Sequence, residues 1–350
     1  MTKNTCANKM SVTPVHEAVG MVLAHDITEV RKDEFKGRAF KKGHIVQQND
    51  IEHLLRLGKE NLFVINLDND EMHEDEAAYV LAKSLIGKGV EILKEPSEGK
   101  IDITASIDGL LKIDKAALKQ FNMHGDVMCA TLHSNTVVKK GTIVAGTRAI
   151  PLVVKKDIIA KAVEAVSKKP VITVYPIKNV KAGLVITGNE VYYGRIKDAF
   201  EPIIREKLNA YNVELISVKI APDDSSKIEE ALKEILSLNV GLIITTGGMS
   251  VDPDDVTRFA IRNLGVTNYT YGTAILPGAM FLIAYYNKEI PILGIPACGM
   301  YKRITAFDLI LPRALTGEII GREDIAELGH GGLCLNCPQC GYPVCPFGKN

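Results

Sequence analysis

The chain lacks several features that would place it in a well-defined class of protein. Its 42 basic and 42 acidic residues cancel to a formal net charge of zero, which argues against a protein that binds nucleic acid through its overall charge. It has no run approaching the ~18 consecutive apolar residues of a membrane-spanning helix. The first ten residues, MTKNTCANKM, contain no apolar stretch typical of a secretory signal. We therefore expect a cytoplasmic protein that contacts neither nucleic acid nor membrane.

Low-complexity tracts and internal repeats of fixed period are also missing, which argues against a repeat architecture. Cysteine is scarce over most of the chain. Cys6, Cys129 and Cys298 are scattered, whereas the other four of the seven cysteines lie within the last 17 residues. Disulfides are uncommon in the cytosol, so this clustering favours metal binding over disulfide bonding.

The 350 residues, of which 46% are hydrophobic, suffice for two or three domains with sizeable cores. Short strands and turns dominate residues 1–175, which predicts a smaller β-rich α+β region with a β-barrel-like or clip-like insert. Within it, the acidic stretch 68–76 predicts a solvated link, with His73 at the surface. Strands alternate with helices over 176–322, which predicts an α/β domain with a doubly wound, mostly parallel sheet. Residues 323–350 follow as a cysteine-rich, metal-binding tail.

The most informative stretch is LIITTGGMSVDPDDVT, residues 242–257. An apolar run predicts a strand buried on both faces of a parallel sheet. Gly247 and Gly248 then allow a tight turn and a close approach of the backbone to a ligand. Asp252 suits a helix N-cap and Pro253 the first helical position behind it. The stretch therefore predicts a loop at the carboxyl end of a strand, where open α/β sheets bind their ligands.

Acidic side chains gather in the loops that are expected to meet at this sheet edge. Carboxylates in such a group suit a hard divalent cation such as Mg²⁺. Simple helix capping is the alternative for some of them, and for Asp223 the two interpretations are about equal. The acidic residues are Glu190, Asp223, Asp224, Asp254 and Asp255.

The segment TTGGMSVDPDDVT resembles the signature loop of the molybdopterin-binding fold, which molybdopterin adenylyltransferases and molybdopterin molybdenumtransferases share. The resemblance extends to TGNE at 187–190, to the acidic turn PDD at 222–224, and to short Pro-Gly and Gly-Ile-Pro segments further on. Some family positions differ. Asn189 replaces an acid, Ala279-Met280 replaces Lys-Pro, and Ala297-Cys298-Gly299 replaces Gly-Asn-Pro. The N-terminal half resembles the family only loosely and lacks its DNSAMDGYA-like segment.

The resemblance implies a set of catalytic and ligand-binding residues. The implied catalytic residues are Glu190, Asp224 and Asp255, of which Asp255 and Glu190 would contact metal or molybdate. The implied binding residues for molybdopterin are Thr187, Gly188, Asn189, Thr246, Gly247, Gly248, Ser250, Thr257, Pro277, Gly278, Gly294 and Pro296.

The activity that the resemblance implies belongs to molybdenum cofactor biosynthesis. A molybdenumtransferase would bind adenylylated molybdopterin, use Mg²⁺, and assist molybdate insertion with release of AMP. One alternative is a non-catalytic molybdopterin-binding carrier or regulator with a metal- or redox-sensing tail. Another is an adenylyltransferase-like enzyme. The family also implies a homodimer, and other cofactor-assembly proteins are candidate partners.

The tail carries Cys334, Cys337, Cys340 and Cys345 in the spacing C-x2-C-x2-C-x4-C, followed by proline. Two metal centres fit this pattern. A zinc knuckle would bind one tetrahedral ion, with His330 as a spare ligand. An iron–sulfur cluster would use a similar run, although in two-cluster ferredoxins the fourth cysteine serves the second cluster. The sequence leaves both open, and such a tail is not part of ordinary molybdenumtransferases.

Overall fold

The computed structural model describes residues 10–31, 35–65, 67–97, 99–250 and 252–349. The chain divides into two compact units. The first comprises residues 1–107, 113–132 and 140–174, and the second comprises 108–112, 133–139 and 175–350. Within the described residues, no helix is both long enough and apolar enough to cross a membrane.

The strands are short in the first unit and longer in the second. In chain order they are β1 Met10–Pro14, β2 Val22–Leu23, β3 Ile27–Arg31, β4 Phe35–Phe40, β5 Asn61–Ile65, β6 Glu71–His73, β7 Val90–Ile92, β8 Lys100–Ala105, β9 Gly109–Ile113, β10 Val127–Thr131, β11 Thr136–Val138, β12 Ile143–Ala149, β13 Val153–Lys155, β14 Ile172–Tyr175, β15 Lys181–Thr187, β16 Glu214–Ala221, β17 Leu242–Thr246, β18 Thr267–Tyr271, β19 Leu282–Tyr286 and β20 Ile290–Ile295.

The α-helices are concentrated in the second unit. In chain order they are α1 Ile51–Arg56, α2 Glu74–Leu85, α3 Lys115–Asn122, α4 Lys156–Ala165, α5 Asn189–Tyr192, α6 Phe200–Asn209, α7 Ser225–Leu236, α8 Thr257–Asn263, α9 Ala306–Leu315 and α10 Arg322–Glu327. Short 3-10 helices occupy Val15–Glu17, Gln48–Asp50 and Ala297–Met300.

The first unit is β-rich, as predicted. It contains an antiparallel sheet in the order β10-β12-β8-β7 and a smaller antiparallel sheet in the order β1-β5-β2. Two antiparallel pairs, β3 with β4 and β6 with β13, complete it. Helix α2 packs on the larger sheet, because Ala78 and Ala82 share an apolar cluster with Ile101.

The prediction that His73 lies at the surface of a solvated link is wrong. Glu71–His73 forms β6, which pairs with β13, and only 2% of the surface of His73 is exposed. The Nδ1 atom of His73 accepts a hydrogen bond from the Asp75 N–H at 3.2 Å and so caps α2. Burial lowers the pKa of His73, with the charge of Asp75 opposing that shift. Strand pairing therefore buries a segment whose acidic composition indicated solvent.

The second unit is built around a six-stranded sheet in the order β16-β15-β17-β20-β19-β18. The first four strands run parallel, and β19 and β18 are antiparallel at one edge. The chain is therefore an α/β protein with a large, mostly parallel sheet and a β-rich N-terminal region, which confirms the predicted fold class.

Both faces of this sheet are buried by helices. Along β17, Leu242 and Ile244 belong to one apolar cluster, whereas the intervening Ile243 belongs to another. Alternate residues of a strand point to opposite faces, so the two clusters are the two sides of the sheet. Helices α6 and α9 supply the first cluster, and α7 and α8 supply the second. This double coverage explains why every residue of β17 is buried.

Helix α7 shows how the sequence determines these packing faces. Asp224 is its N-cap, and the apolar residues Ile228, Leu232 and Ile235 recur at helical spacing and are fully buried. The other positions are largely charged and exposed. Burial of one such apolar stripe holds a surface helix against a sheet. It stabilises the packing by ~25 cal/mol for each Å² of apolar surface removed from water.

Candidate functional site

The loops that follow β15 and β17 are joined by buried threonine side chains. The Thr187 hydroxyl donates to the Thr246 carbonyl oxygen at 3.2 Å and lies 2.9 Å from the Thr257 Oγ1 atom. All three residues are at most 4% exposed. These contacts fix the carboxyl ends of two neighbouring parallel strands against the start of α8.

The paired glycines after β17 have no room for side chains. Gly247 has a φ of +84°, and a Cβ atom there would lie 2.1 Å from the Thr187 carbonyl oxygen. Gly248 has a φ of +57°, and its Cβ would lie 2.3 Å from the Thr257 Oγ1 atom. Both positions therefore require glycine, for conformation and for space.

A reciprocal pair of hydrogen bonds connects the loops after β15 and β16. The Asn189 N–H donates to the Asp223 Oδ2 atom at 2.9 Å, and the Asp223 N–H donates to the Asn189 Oδ1 atom at 3.3 Å. Asn189 stands where the related family motif has an acid. In this chain that position crosslinks two loops without adding another negative charge.

Several of the predicted acids influence one another. Burial raises the pKa of Asp223, the hydrogen bond from Asn189 opposes this, and the negative charges of Glu190, Asp254 and Asp255 raise the pKa further. Glu190, Asp254 and Asp255 are thus near enough to Asp223 for their charges to act on it. In the part of the chain that the structure describes, however, no three His, Cys, Asp or Glu side chains come close enough to hold one metal ion.

Two of the predicted catalytic acids also support local backbone structure. The Asp224 Oδ1 atom accepts the Lys227 N–H at 3.0 Å as the N-cap of α7. The Asp255 Oδ2 atom accepts the Asp252 N–H at 2.8 Å across a tight turn.

The predicted helix start at Pro253 is wrong, because α8 begins at Thr257 with Val256 as its N-cap. The Asp255 N–H donates to the Asp252 carbonyl oxygen at 3.0 Å. The Asp252 backbone is thus used in a turn rather than in a helix cap. The acidic residues consequently lie in the loop that precedes the helix.

A cavity of about 420 Å³ opens at the loops that follow β17 and β20. We call it the glycine-loop cavity. It is lined by Gly247, Gly248, Met249, Ser250, Asp255, Leu276, Pro277, Gly278, Ala279, Met280, Pro296, Ala297 and Cys298. Seven of the residues predicted from the motifs are in this lining. The structure therefore brings together residues from three separate segments of the sequence.

Eight other predicted residues are absent from the lining of the cavity. Residues that do not line it are Thr187, Gly188, Asn189, Glu190, Asp224, Thr246, Thr257 and Gly294. Gly294 has an indirect role, since a Cβ atom there would lie 2.4 Å from the Met249 Cε atom. Glycine at 294 thus makes room for a side chain that lines the cavity.

Sequence reasoning missed the apolar part of the lining. Met249 lies inside the signature segment but has no chemically distinctive side chain, and Leu276 lies in no motif, so their role is visible only from the packing. The Tyr271 hydroxyl also escaped notice, although it donates to the Met249 carbonyl oxygen at 2.7 Å and holds the loop. In the sequence, Tyr271 cannot be distinguished from an aromatic residue that only packs in the core.

Cys298 is the thiol of the glycine-loop cavity. Burial raises the pKa of Cys298, while the positive charge of Lys302 acts in the opposite direction. The side chain is therefore a neutral thiol near neutral pH rather than a reactive thiolate.

Residues 183–316 match the model of a family described as a probable molybdopterin binding domain. This stretch contains every residue that lines the glycine-loop cavity. The matched stretch lies within the second unit. Residues 12–66 match a second family, described only as a domain of unknown function.

Curated relatives match a shorter stretch. A CinA-like protein of Mycobacterium avium (strain 104) is 39% identical over 89 residues, which make up 24% of this chain and 20% of that protein. A CinA-like protein of Mycobacterium tuberculosis is 40% identical over 77 residues, or 22% of this chain and 18% of that protein. The chain therefore spans about a fifth of the length of these relatives.

Solved structures align with about two fifths of the chain, at low TM-scores. The molybdopterin biosynthesis enzyme MoaB of Thermus thermophilus gives a TM-score of 0.35 at 22% identity, covering 40% of this chain and 98% of that one. The Mog protein of Mycobacterium ulcerans gives 0.31 at 21% identity, covering 38% and 91%. The fold class follows from the strand order itself rather than from alignments at this level.

Proposed function

We propose that this chain acts in molybdenum cofactor assembly as a molybdopterin molybdenumtransferase. It binds adenylylated molybdopterin in the glycine-loop cavity and assists molybdate insertion with release of AMP. The observation that carries the proposal is the position of the cavity. It lies at the carboxyl ends of parallel strands within the matched domain, where Gly247 and Gly248 expose backbone to a ligand.

The proposed division of roles follows the lining. Gly247, Gly248 and Ser250 hold phosphate or pterin, because their backbone and hydroxyl groups reach the cavity without bulky side chains. Met249 and Leu276 give the ligand an apolar surface. Such a combination of apolar walls and a few polar groups is typical of a small-molecule site.

Asp255 is the charged residue of the lining, and we assign it the contact to molybdate or to Mg²⁺. Magnesium commonly binds through one or two carboxylates together with substrate phosphates, so this role needs no cage of three carboxylates. Glu190 and Asp224 were predicted with Asp255, but neither lines the cavity, and Asp224 serves as a helix cap. Asp255 therefore has the main catalytic role in this proposal.

In the reaction that this arrangement suits, water cleaves the phosphoanhydride bond, AMP departs, and the phosphate stays on the pterin. The two pterin thiols form two bonds to molybdenum, and their protons leave with one molybdate oxygen as water, so no electron is transferred. The protein contributes orientation of the ligand and stabilisation of charge. A homodimer, and contacts with other cofactor-assembly proteins, form part of the same proposal through the family resemblance.

A molybdopterin-binding carrier is the second candidate, and one observation favours it. No lysine or arginine is among the described residues that line the cavity, and Ala279 stands where the related motif has lysine. A site without that cation stabilises the departing phosphate charge less well. Binding of the pterin itself depends less on that charge.

The deciding experiment measures AMP release from adenylylated molybdopterin by the purified chain in the presence of Mg²⁺, with and without molybdate. We expect release that depends on molybdate. Binding without release would refute the transferase and leave the carrier. ATP consumption with unadenylylated molybdopterin would point to an adenylyltransferase instead.

Ala279→Lys sharpens this experiment, because it restores the cation of the motif at an exposed position of the cavity. Ala210→Lys is the matched control, since it adds the same charge at an exposed helix end outside the lining. If phosphate binds in the glycine-loop cavity, the first variant binds the nucleotide more tightly and the control does not. Equal effects in both variants would show a response to net charge alone.

A further inference from the structure

The four cysteines of the tail face one space. Cys334, Cys337, Cys340 and Cys345 all line a cavity of about 230 Å³ in the second unit, which we call the tail cavity. All four are free thiols. Nothing in the proposed reaction uses them, because the lining of the glycine-loop cavity contains none of them.

The backbone around these thiols is arranged as thiolate ligands require. Asn336 has a φ of +51°, and its N–H donates to the Cys334 Sγ atom at 3.5 Å. Backbone N–H groups directed at sulfur stabilise a metal-bound thiolate. Two successive C-x2-C spacings are also typical of structural zinc sites.

The tail segment is bonded to both sides of the glycine-loop cavity. The Leu276 N–H donates to the Gly332 carbonyl oxygen at 2.8 Å, and the Cys334 N–H donates to the Leu276 carbonyl oxygen at 2.8 Å. Leu276 lines the glycine-loop cavity. On the other side, the Lys302 Nζ atom donates to the Asn336 Oδ1 atom at 3.0 Å, just after the loop that carries Cys298.

We propose that the four tail cysteines bind one thiophilic divalent cation of the Zn²⁺ class, and that this ion fixes the two loops that border the glycine-loop cavity. Binding forms four metal–sulfur bonds and releases the four thiol protons to solvent, with no electron transferred. The sulfur atoms do not yet form a binding geometry among the described residues. Binding therefore requires the cysteine side chains, including that of the exposed Cys337, to rotate until each sulfur lies ~2.3 Å from the ion. The proposal does not depend on which ligand occupies the glycine-loop cavity.

Metal content and thiol reactivity of the full chain, purified under reducing conditions from zinc-supplemented medium, test the site. We expect one zinc per chain, no visible colour, and four additional reactive thiols after removal of the metal by a chelator. Iron with inorganic sulfide, two disulfides, or failure of the chelated chain to take up Zn²⁺ or Co²⁺ would each overturn the proposal.

Two cysteine variants localise the metal. Cys337→Ser removes an exposed ligand and should weaken zinc binding at least about 100-fold. Substitution of residues that only hydrogen-bond to a metal ligand already weakens metal binding by up to about 100-fold, and loss of a ligand should cost more. Cys298→Ser is the matched control, because it alters another thiol of the same unit outside the tail cavity, and it should retain one zinc per chain. Equal zinc loss in both variants would contradict the assignment.

Hydrogen exchange tests the coupling to the loops separately. On removal of the metal, the Leu276 and Cys334 amides should exchange at least about tenfold faster, because their hydrogen bonds to the Gly332 and Leu276 carbonyl oxygens, respectively, open more often. The Ile244 amide in β17 should be unchanged and so reports that the sheet stays folded. Unchanged exchange at Leu276 and Cys334 after complete metal removal would overturn the coupling.

Discussion

At the level of single residues, Asp255 and Asp224 are similar carboxylates with different surroundings. Asp255 lines the glycine-loop cavity, whereas Asp224 caps α7 outside it. We predict that Asp255→Asn lowers AMP release at least about tenfold, because the charge at the reacting group is lost. Stability should change by less than about 0.5 kcal/mol, since the amide oxygen can still accept the Asp252 N–H.

Asp224→Asn is the matched variant for that measurement. Asparagine caps a helix about as well as aspartate, so both AMP release and stability should stay near those of the unmodified chain. Steady-state AMP release and urea unfolding measure the two quantities side by side. A loss of release in Asp224→Asn as large as in Asp255→Asn would restore a catalytic role for Asp224.

Asp223 gives a prediction about pH. Its pKa is raised in the folded chain, above all by burial, so the unfolded chain releases this proton first as pH rises. The group therefore lowers stability once pH exceeds the ordinary carboxyl pKa of about 3.9, and this cost is complete above the raised folded pKa. Asp223→Asn cannot ionise, so this variant does not lose stability in this way as pH rises.

Urea unfolding of Asp223→Asn and the unmodified chain at pH 7 and pH 3.5 tests this. The stability difference should shift in favour of the variant at pH 7 by less than about 1 kcal/mol, because solvent screens a half-buried group. A difference that is the same at both pH values would contradict the raised pKa. The hydrogen bond from the Asn189 N–H favours the ionised carboxylate, so it makes this shift smaller without reversing its direction.

The sequence predicted the glycines, the polar groups and two prolines of the cavity lining and missed its larger apolar side chains. Gly247, Gly248 and Asp255 follow one strand and have distinctive chemistry, so local pattern and family resemblance found them. Met249 and Leu276 look like any core residues in the sequence. They line a cavity only because three loops that are distant in sequence meet there, and a local sequence pattern does not predict this meeting.

At the level of elements, the turn after β17 depends on its glycines. Gly247→Ala forces a Cβ atom to within 2.1 Å of the Thr187 carbonyl oxygen at a φ of +84°. We predict a loss of stability greater than about 2 kcal/mol, because backbone must move and left-handed strain is added. Gly265→Ala is the control, since its φ is +73° but its Cβ would meet nothing within 4 Å.

Gly265→Ala should therefore cost only the conformational strain of about 1 kcal/mol. Thermal unfolding of both variants gives the comparison. Equal destabilisation would mean that the close approach to Thr187 contributes nothing. Ligand binding should also fall in Gly247→Ala and persist in Gly265→Ala, which lies outside the lining of the cavity.

Two elements departed from prediction for the same physical reason. In β6, an acidic composition indicated solvent, but pairing with β13 buried His73. Before α8, Asp252 resembled an N-cap, but its backbone bonds with Asp255 formed a turn instead. In both segments, hydrogen bonds that the local sequence pattern does not indicate determine the backbone structure. The composition of a segment does not predict which groups form these bonds.

At the level of the whole molecule, regular alternation made the second unit predictable. Apolar strands alternating with amphipathic helices allow few arrangements other than a parallel sheet covered on both faces. The family resemblance covered the same stretch. The first unit has short strands with antiparallel partners distant in sequence, so its β-rich character was predictable but its pairings were not.

The predicted separation of residues 323–350 as a tail remains a prediction, and the packing of Phe347 bears on it. This side chain is only 3% exposed and belongs to the apolar cluster that covers one face of the main sheet. We predict that Phe347→Ala costs the second unit about 3–5 kcal/mol in unfolding free energy, as for other buried aromatic truncations. Val344→Ala is the control, because Val344 is 90% exposed and should change stability by less than about 0.5 kcal/mol. Urea unfolding followed by the fluorescence of the tyrosines measures both, and a Phe347→Ala cost below about 1 kcal/mol would mean that the tail is an appendage rather than part of the core.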